Sequence, residues 1–291
     1  MKEINQKILT GERAGFGSRE TIYNDCIFRD GESHRKHSEN IELNRCRDRW
    51  KEPLWYCKNV TVNDGKWFEE ARAGVWYTDD MTVNKAVVQA PKNFRRCRRL
   101  ELNDVVFTNA AETLWSCEGV RLNRVSAKGD YFCMNSKNLE IDGLTLDGKY
   151  SFDGVENVVV RNSNLVTKDA FWNSKNVTVY DSFVSSEYLG WNSENLTLIN
   201  CTVESNQGLC YIDNLVMKNC RLIDTTFAFE YSNVNAEIVG KAESVFNPAS
   251  GRIKADEIGE LILESDRIDP SKTEIVCGNI DKESDLVEWR R

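Results

Sequence analysis

Five tryptophans, Trp55, Trp76, Trp115, Trp172 and Trp191, recur at multiples of about nineteen residues, and the same position in other intervals carries Arg95, Met134, Asp153, Cys210 and Phe229. Three residues earlier in each interval stands a second set: Glu52, Ala73, Lys92, Glu112, Tyr131, Tyr150, Asp169, Tyr188, Gln207 and Thr226. The residue just before each member of the tryptophan set is more uniformly apolar, so on a strand the tryptophan set is expected to face outward. Flat indole faces interleaved with carboxylates suit an extended polysaccharide, whose sugar rings have apolar faces and polar rims. On this reading the ligand is held by Trp55, Trp76, Arg95, Trp115, Tyr131, Lys168, Trp172, Tyr188 and Trp191. Asp153, Asp169, Asp130 and Glu112, with Lys149, Lys168 and Arg95 near them, are the candidates for an acid and a base in glycoside cleavage. A competing reading explains the tryptophans as well: aromatic residues stack for stability alone, pack under a loop, or join two copies of the chain. For the carboxylates taken singly, a solvated or salt-bridged face is the commoner outcome.

The element that must position these side chains is a short repeat. Lys175-Asn176-Val177-Thr178-Val179 recurs as Glu194-Asn195-Leu196-Thr197-Leu198. Its Asn position can be followed through Glu20, Asn40, Asn59, Asp80, Arg99, Gly119, Asn138, Asn157, Asn176, Asn195, Asn214 and Asn233, in steps of nineteen to twenty-one residues. The first and third residues after it are mostly apolar, as in Val60/Val62, Leu100/Leu102, Val158/Val160 and Leu215/Met217, which is the period of a strand with one buried face. A turn residue follows (Asp64, Asp104, Gly143, Asn162, Asp181, Asn200, Asn219), then a small residue, then an apolar row through Phe28, Val88, Phe107, Leu146, Leu165, Val184, Val203 and Leu222. A third short strand has inward candidates Leu54, Val75, Phe94, Leu114, Phe152, Phe171 and Leu209.

Three short strands in about nineteen residues leave no room for a helix-containing leucine-rich unit or a four-stranded propeller blade. They fit one turn of a parallel β-helix, in which each residue lies over its equivalent about 4.8 Å away. The expected fold is therefore all-β, a single-stranded right-handed parallel β-helix of about 11 to 13 coils. One domain is expected over 1–291, with 1–19 as N-terminal cap, 20–240 as regular coils, and 241–291 as irregular last coils, C-terminal cap and tail. Asp281 to Arg291 are read as a short helix or a loose tail. The recurring asparagines are expected to be buried as a ladder, each amide bonding its neighbours along the axis.

With a net charge of −8 and a pI near 5.1, no nucleic-acid partner is expected, since a phosphate backbone would be repelled. Phe94-Arg95-Arg96-Cys97-Arg98-Arg99 is the basic exception, and internal salt bridges are its expected role. Neither an apolar leader nor a membrane-length apolar stretch is recognised, so a cytoplasmic protein with no membrane partner is expected. Most of the ten cysteines fall on inward small-residue rows and are expected to be reduced, although Cys26/Cys46 and Cys201/Cys220 occupy equivalent places on adjacent coils. No metal or other cofactor is expected: there is no CxxC pair, and the only histidines, His34 and His37, are read as lying together in a polar loop.

The chain also resembles a mainly bacterial family of uncharacterised proteins, the DUF3737 family. The residues that carry this are Asp30-Gly31-Glu32-Ser33, Ala71-Arg72-Ala73-Gly74, Ala90-Pro91-Lys92, Phe94-Arg95-Arg96, Glu112-Thr113-Leu114-Trp115, Gly129-Asp130-Tyr131-Phe132, Phe152-Asp153-Gly154, Lys168-Asp169-Ala170-Phe171-Trp172-Asn173 and Asn247-Pro248-Ala249-Ser250-Gly251. The resemblance implies a right-handed, pectate-lyase-like β-helix and no particular activity. Polygalacturonases share that architecture, but their Asn-Thr-Asp and Asp-Asp pattern is missing here, as are the long exposed loops of the lyases, and fold does not transmit function. The leading expectation is a carbohydrate-binding or carbohydrate-active protein that takes an oligosaccharide or polysaccharide. The alternative is a non-catalytic scaffold for a protein partner or for homo-oligomerisation.

Overall fold

A computed structural model of the protein describes residues 1–285, and the chain divides into two compact units, Met1–Gly148 and Lys149–Arg291. Each is a parallel β-solenoid. In the first unit the longest strands are Lys2–Asn5, Arg19–Asn24, Glu39–Asn44, Lys58–Asn63, Asp79–Val88, Arg98–Phe107, Glu118–Asn123 and Lys137–Asp142. They pair in parallel in that order, with Ile41 opposite Val60 and Leu43 opposite Val62. The alternation works as expected, because these apolar residues are buried and those between them are not.

Segment 1–19, read above as a cap, carries the strands Lys2–Asn5 and Ile8–Thr10, each in register with the coil that follows. In the second unit the strands Glu156–Arg161, Lys175–Tyr180, Glu194–Ile199, Asp213–Thr226, Asn233–Phe246, Ser250–Ile262 and Thr273–Ser284 stack in the same way. The described coils thus number eight in the first unit and seven in the second, more than the periodicity predicts, because the repeat persists structurally where its side-chain pattern fades. Residues 281–284 belong to the last strand rather than to a helix or tail, and 286–291 lie outside the described residues.

Corners hold the coils closed. The turn residues Asp64, Asp104, Asn162, Asp181, Asn200 and Asn219 all have φ between 47° and 54°, the left-handed region that short polar side chains tolerate best. The recurring asparagines are themselves corners: Asn59, Asn176 and Asn195 have φ of 53°, 54° and 57°. Their side chains therefore point outward, so the ladder exists but is not buried. Asn59 donates to Asn40 at 2.8 Å, Asn176 to Asn157 at 2.9 Å, and Asn195 to Asn176 at 2.9 Å, all at the surface. A second, half-buried ladder escaped the sequence reading. Asn24, Asn44, Asn63, Asn84, Asn103 and Asn123 each donate to the equivalent asparagine one coil earlier, beginning at Asn5, at 2.7–3.0 Å.

The interior is apolar with a spine of small polar groups. Cys57, Thr78, Cys97, Cys117 and Ser136 share one inward row, where hydroxyls and thiols bond backbone groups, as in Ser136 Oγ donating to the Leu114 carbonyl at 2.6 Å. All ten cysteines are unbridged and nine are buried. Burial pushes the Cys46 and Cys210 thiols up to about 12. One charged pair sits inside the first unit: Arg35, fully buried, bonds Asp48 and stacks over Phe28 at 3.7 Å. His34 is buried beside them rather than in a polar loop, and burial together with the Arg35 charge depresses its pKa. The Arg95–Arg99 cluster forms ion pairs as expected, but on the outside. Phe94 and Cys97 take the inward positions, while Arg98 and Arg99 reach Asp79 and Asp80.

Candidate functional site

The tryptophan row is half-buried in both units, with its apolar neighbours Leu54, Val75, Leu114 and Phe171 fully inside. Cys210 and Phe229, placed outward by periodicity, are buried instead. In the first unit the third side is strand-like: Leu54–Trp55 pairs with Val75–Trp76, and bridges continue through Arg95 to Trp115. Backbone spacing then sets ring spacing. Trp55 and Trp76 stack at 4.9 Å with planes 7° apart, Arg95 lies 5.3 Å from Trp76 and 5.0 Å from Trp115, and Lys36 lies 5.2 Å from Trp55. Trp76 is thus covered on both faces, by an indole and a guanidinium, in contacts that are each favourable by about 0.5–1.5 kcal/mol. The indole N–H groups of Trp55 and Trp76 donate to the carbonyls of Ala73 (2.5 Å) and Lys92 (2.8 Å).

A parallel stack runs beside it. His37 lies on Tyr56 at 5.3 Å, Tyr56 on Tyr77 at 4.8 Å, and Arg96 donates to the Tyr77 hydroxyl at 3.2 Å. The carboxylate of Glu112 is bonded by Arg95 and lies 3.5 Å from Lys92. These contacts outweigh its partial burial and hold its pKa below the ordinary value. Tyr131 is exposed and meets Trp115 at 6.2 Å, and Asp130 is half-buried, its carbonyl accepting from the Glu112 N–H at 2.8 Å.

In the second unit the corresponding segments, 170–173 and 187–192, are turns rather than bridged strands, and the rings are splayed. Trp172 and Trp191 are 6.2 Å apart at 34°, Trp191 and Tyr211 are 4.5 Å apart at 42°, and Tyr211 and Tyr231 are 5.4 Å apart at 48°. Tyr188 meets Trp191 edge-on at 6.0 Å, and its carbonyl accepts the Trp172 N–H at 2.8 Å. Among the described residues no cation lies over Trp172, Trp191 or Tyr211, and the Trp191 N–H has no acceptor. An exposed polar ladder runs alongside: Asn192 donates to Asn173 at 2.9 Å and Asn173 to Asp153 at 3.0 Å. Lys168 is paired with Glu187 at 3.0 Å. Asp169 is only 3% exposed, its Oδ1 has no hydrogen-bond donor, and burial raises its pKa. Sequence spacing missed Tyr211 and Tyr231: Tyr211 stands one residue after the tryptophan position Cys210, where an aromatic was the available signal, whereas Tyr231 stands two residues after Phe229 and breaks the spacing.

Among the described residues no three His, Cys, Asp or Glu side chains converge as a metal site would need, and no helix is long and apolar enough to cross a membrane. Taken together these features define a parallel β-solenoid with an external aromatic and amide-lined face. Within that class the chain belongs to the DUF3737 family, described as a protein of unknown function, whose profile matches residues 2–276. Among curated proteins none matches.

Three solved structures are distantly similar. PfbA, a surface adhesin of Streptococcus pneumoniae, shares 7% identity over 92% of this chain and 85% of its own, with a TM-score of 0.37. A mutant of the periplasmic alginate epimerase AlgG shares 9% over 97% and 73%, with a TM-score of 0.23. The plasmid-mediated fluoroquinolone resistance protein QnrB1 shares 9% over 77% and 92%, with a TM-score of 0.20. Likenesses this weak argue for neither binding nor catalysis.

Proposed function

We propose that the protein binds a carbohydrate chain, and that the binding wall is Trp172, Trp191 and Tyr211 of the second unit. The observation that carries this reading is the environment of Trp191: a ring inclined by 34° to Trp172 and 42° to Tyr211 rather than stacked flat on them, with no cation over it and an indole N–H that has no acceptor among the described residues. A splayed ring offers part of its face to the C–H surface of a sugar, and a free N–H donates to a hydroxyl. Asn173, Asn192 and Asp153 supply acceptors and donors beside it for further hydroxyls. The reading is of binding rather than cleavage. Glu112 is engaged by Arg95 and Lys92, and Asp169 lies below the surface, so neither carboxylate is offered to a chain lying on the rings.

The test is a fluorescence titration with a panel of neutral oligosaccharides. At least one should shift the tryptophan emission, and Trp191→Ala should weaken that ligand about tenfold, the loss expected when about 1.4 kcal/mol of ring contact disappears. Trp55→Ala should leave the affinity unchanged. A silent panel, or equal losses in the two variants, would overturn the reading.

A further inference from the structure

The outer face of the second strand in the first unit carries a groove of about 610 Å³ whose walls include Arg47, Lys66, Lys85, Asp25, Asp64 and Phe68. Neighbouring charges are neutralised: Arg45 bonds Asp25 at 2.7 Å and Arg124 bonds Asp104 at 2.7 Å. Arg47, Lys66 and Lys85 differ, since among the described residues none has a carboxylate within pairing distance. Three unpaired cations in one groove stand out on a chain of net charge −8. The floor is anchored by Phe68, which has the Lys66 ammonium 4.6 Å and the Arg49 guanidinium 4.4 Å from its ring centroid.

We propose that this groove binds an acidic polysaccharide, a linear chain of sugars each carrying a carboxylate. The inference rests on the reading of the protein as glycan-binding but uses a different surface and different residues. Arg47 and Lys66 are in register on adjacent coils, so their backbone positions repeat at the strand spacing of about 4.8 Å, close to the length of one sugar ring. Lys85 follows on the next coil, at the corner equivalent to Asp64. The interspersed Asp64, which makes no ion pair among the described residues, chooses between polyanions. It repels a phosphodiester backbone, which has no donors to offer it, whereas a uronate chain presents hydroxyl donors to the aspartate and carboxylates to the cations. A groove lined alternately by acceptors and cations fits a ligand that alternates donors and anions.

Binding of the whole protein to immobilised polygalacturonate, with dextran as neutral reference, tests the proposal. The protein should be retained on polygalacturonate, and retention should fall steeply with salt. Arg47→Glu with Lys66→Glu should lower the affinity at least about tenfold and reduce the slope of log affinity against log salt by about two. Arg47→Ala alone, milder for folding, should reduce that slope by about one. The paired charge variant should keep the affinity of the unaltered protein for neutral oligosaccharides, which separates this site from the aromatic wall. No binding to polygalacturonate, unaltered binding by the charge variants, or tighter binding to single-stranded oligothymidine would overturn the proposal.

Discussion

In the first unit Trp55 and Trp76 lie face to face, 4.9 Å apart and 7° from parallel, with charged groups at both ends of the stack; in the second, Trp172 and Trp191 are 6.2 Å apart and 34° from parallel, with none. The side chains are the same and the repeat is the same. What differs is the backbone beneath them. Where residues 54–55 and 75–76 pair as strands, each ring is held at strand spacing and its faces are used within the protein. Where residues 170–173 and 187–192 form turns, single backbone bonds still link the coils, as in the Asn173 N–H donating to the Trp191 carbonyl at 3.0 Å, but no paired strand lies under the rings and they fan out. An aromatic ladder is thus either internal support or a presented surface, and secondary structure decides which.

The largest test of that contrast is a pair of truncations. Trp76→Ala removes a ring covered on both faces and an N–H bond to the Lys92 carbonyl, and should cost about 2–3 kcal/mol of stability. Trp172→Ala removes a splayed ring with no cation over it, together with an N–H bond to the Tyr188 carbonyl, and should cost about 1 kcal/mol less than Trp76→Ala. Urea melts of the two variants decide it, and equal losses would erase the distinction between support and surface.

The corners give the next largest effect. At φ of 54°, Asn176→Leu should cost about 1–2 kcal/mol, while Asn176→Gly should be nearly neutral although it also deletes the ladder amide. If both variants lose equally, the exposed ladder matters more than the backbone geometry.

A smaller and opposite change is expected at Asp169. Its folded pKa is raised above the ordinary 3.8, so its contribution to stability is fully present below that value and is lost as pH rises through the folded pKa. Asp169→Asn should therefore stabilise the protein by about 1 kcal/mol at pH 7, with the gain disappearing towards pH 4. A gain that stays constant with pH would show that the buried charge is not the cause.

The smallest expected signal separates the units by thiol reactivity. All six cysteines of the first unit are buried, whereas Cys277 of the second is half-exposed. One thiol should react quickly in the native protein, and close to ten should react after denaturation without reductant. Rapid labelling of Cys57 or Cys97 would mean that the bridged face opens more readily than the turn-built one.

The sequence made the coil legible because one-face burial on a short strand writes a strict alternation, and Val60/Val62 or Leu196/Leu198 are unambiguous. It misplaced the asparagines because two physical demands select the same residue: a buried amide ladder and a left-handed corner both favour Asn. The corner won, as φ at Asn40, Asn59 and Asn195 shows. The inward ion pair of Arg35 and Asp48 was invisible for a different reason. Asp48 occupies the apolar-row position between Phe28 and Trp67, and only the partner arriving from a loop thirteen residues earlier explains it. For the aromatic face, spacing located the rings but not their tilt, since tilt depends on whether the backbone below is paired.

The register of one coil upon the next also bears on how such a chain changes length over evolutionary time. Because Ile41 meets Val60 and Val177 meets Leu196, each side chain contacts its own counterpart in the neighbouring turn. A tandem duplication of one whole period would insert a turn whose every residue finds a like partner above and below, whereas a single inserted residue inside a strand would reverse which side chains face in. Inheritance in this fold is therefore quantised. Chain length can drift by whole turns, and the corners, where steps of twenty and twenty-one residues already occur, are the places where a reading of related genes should find the remainder.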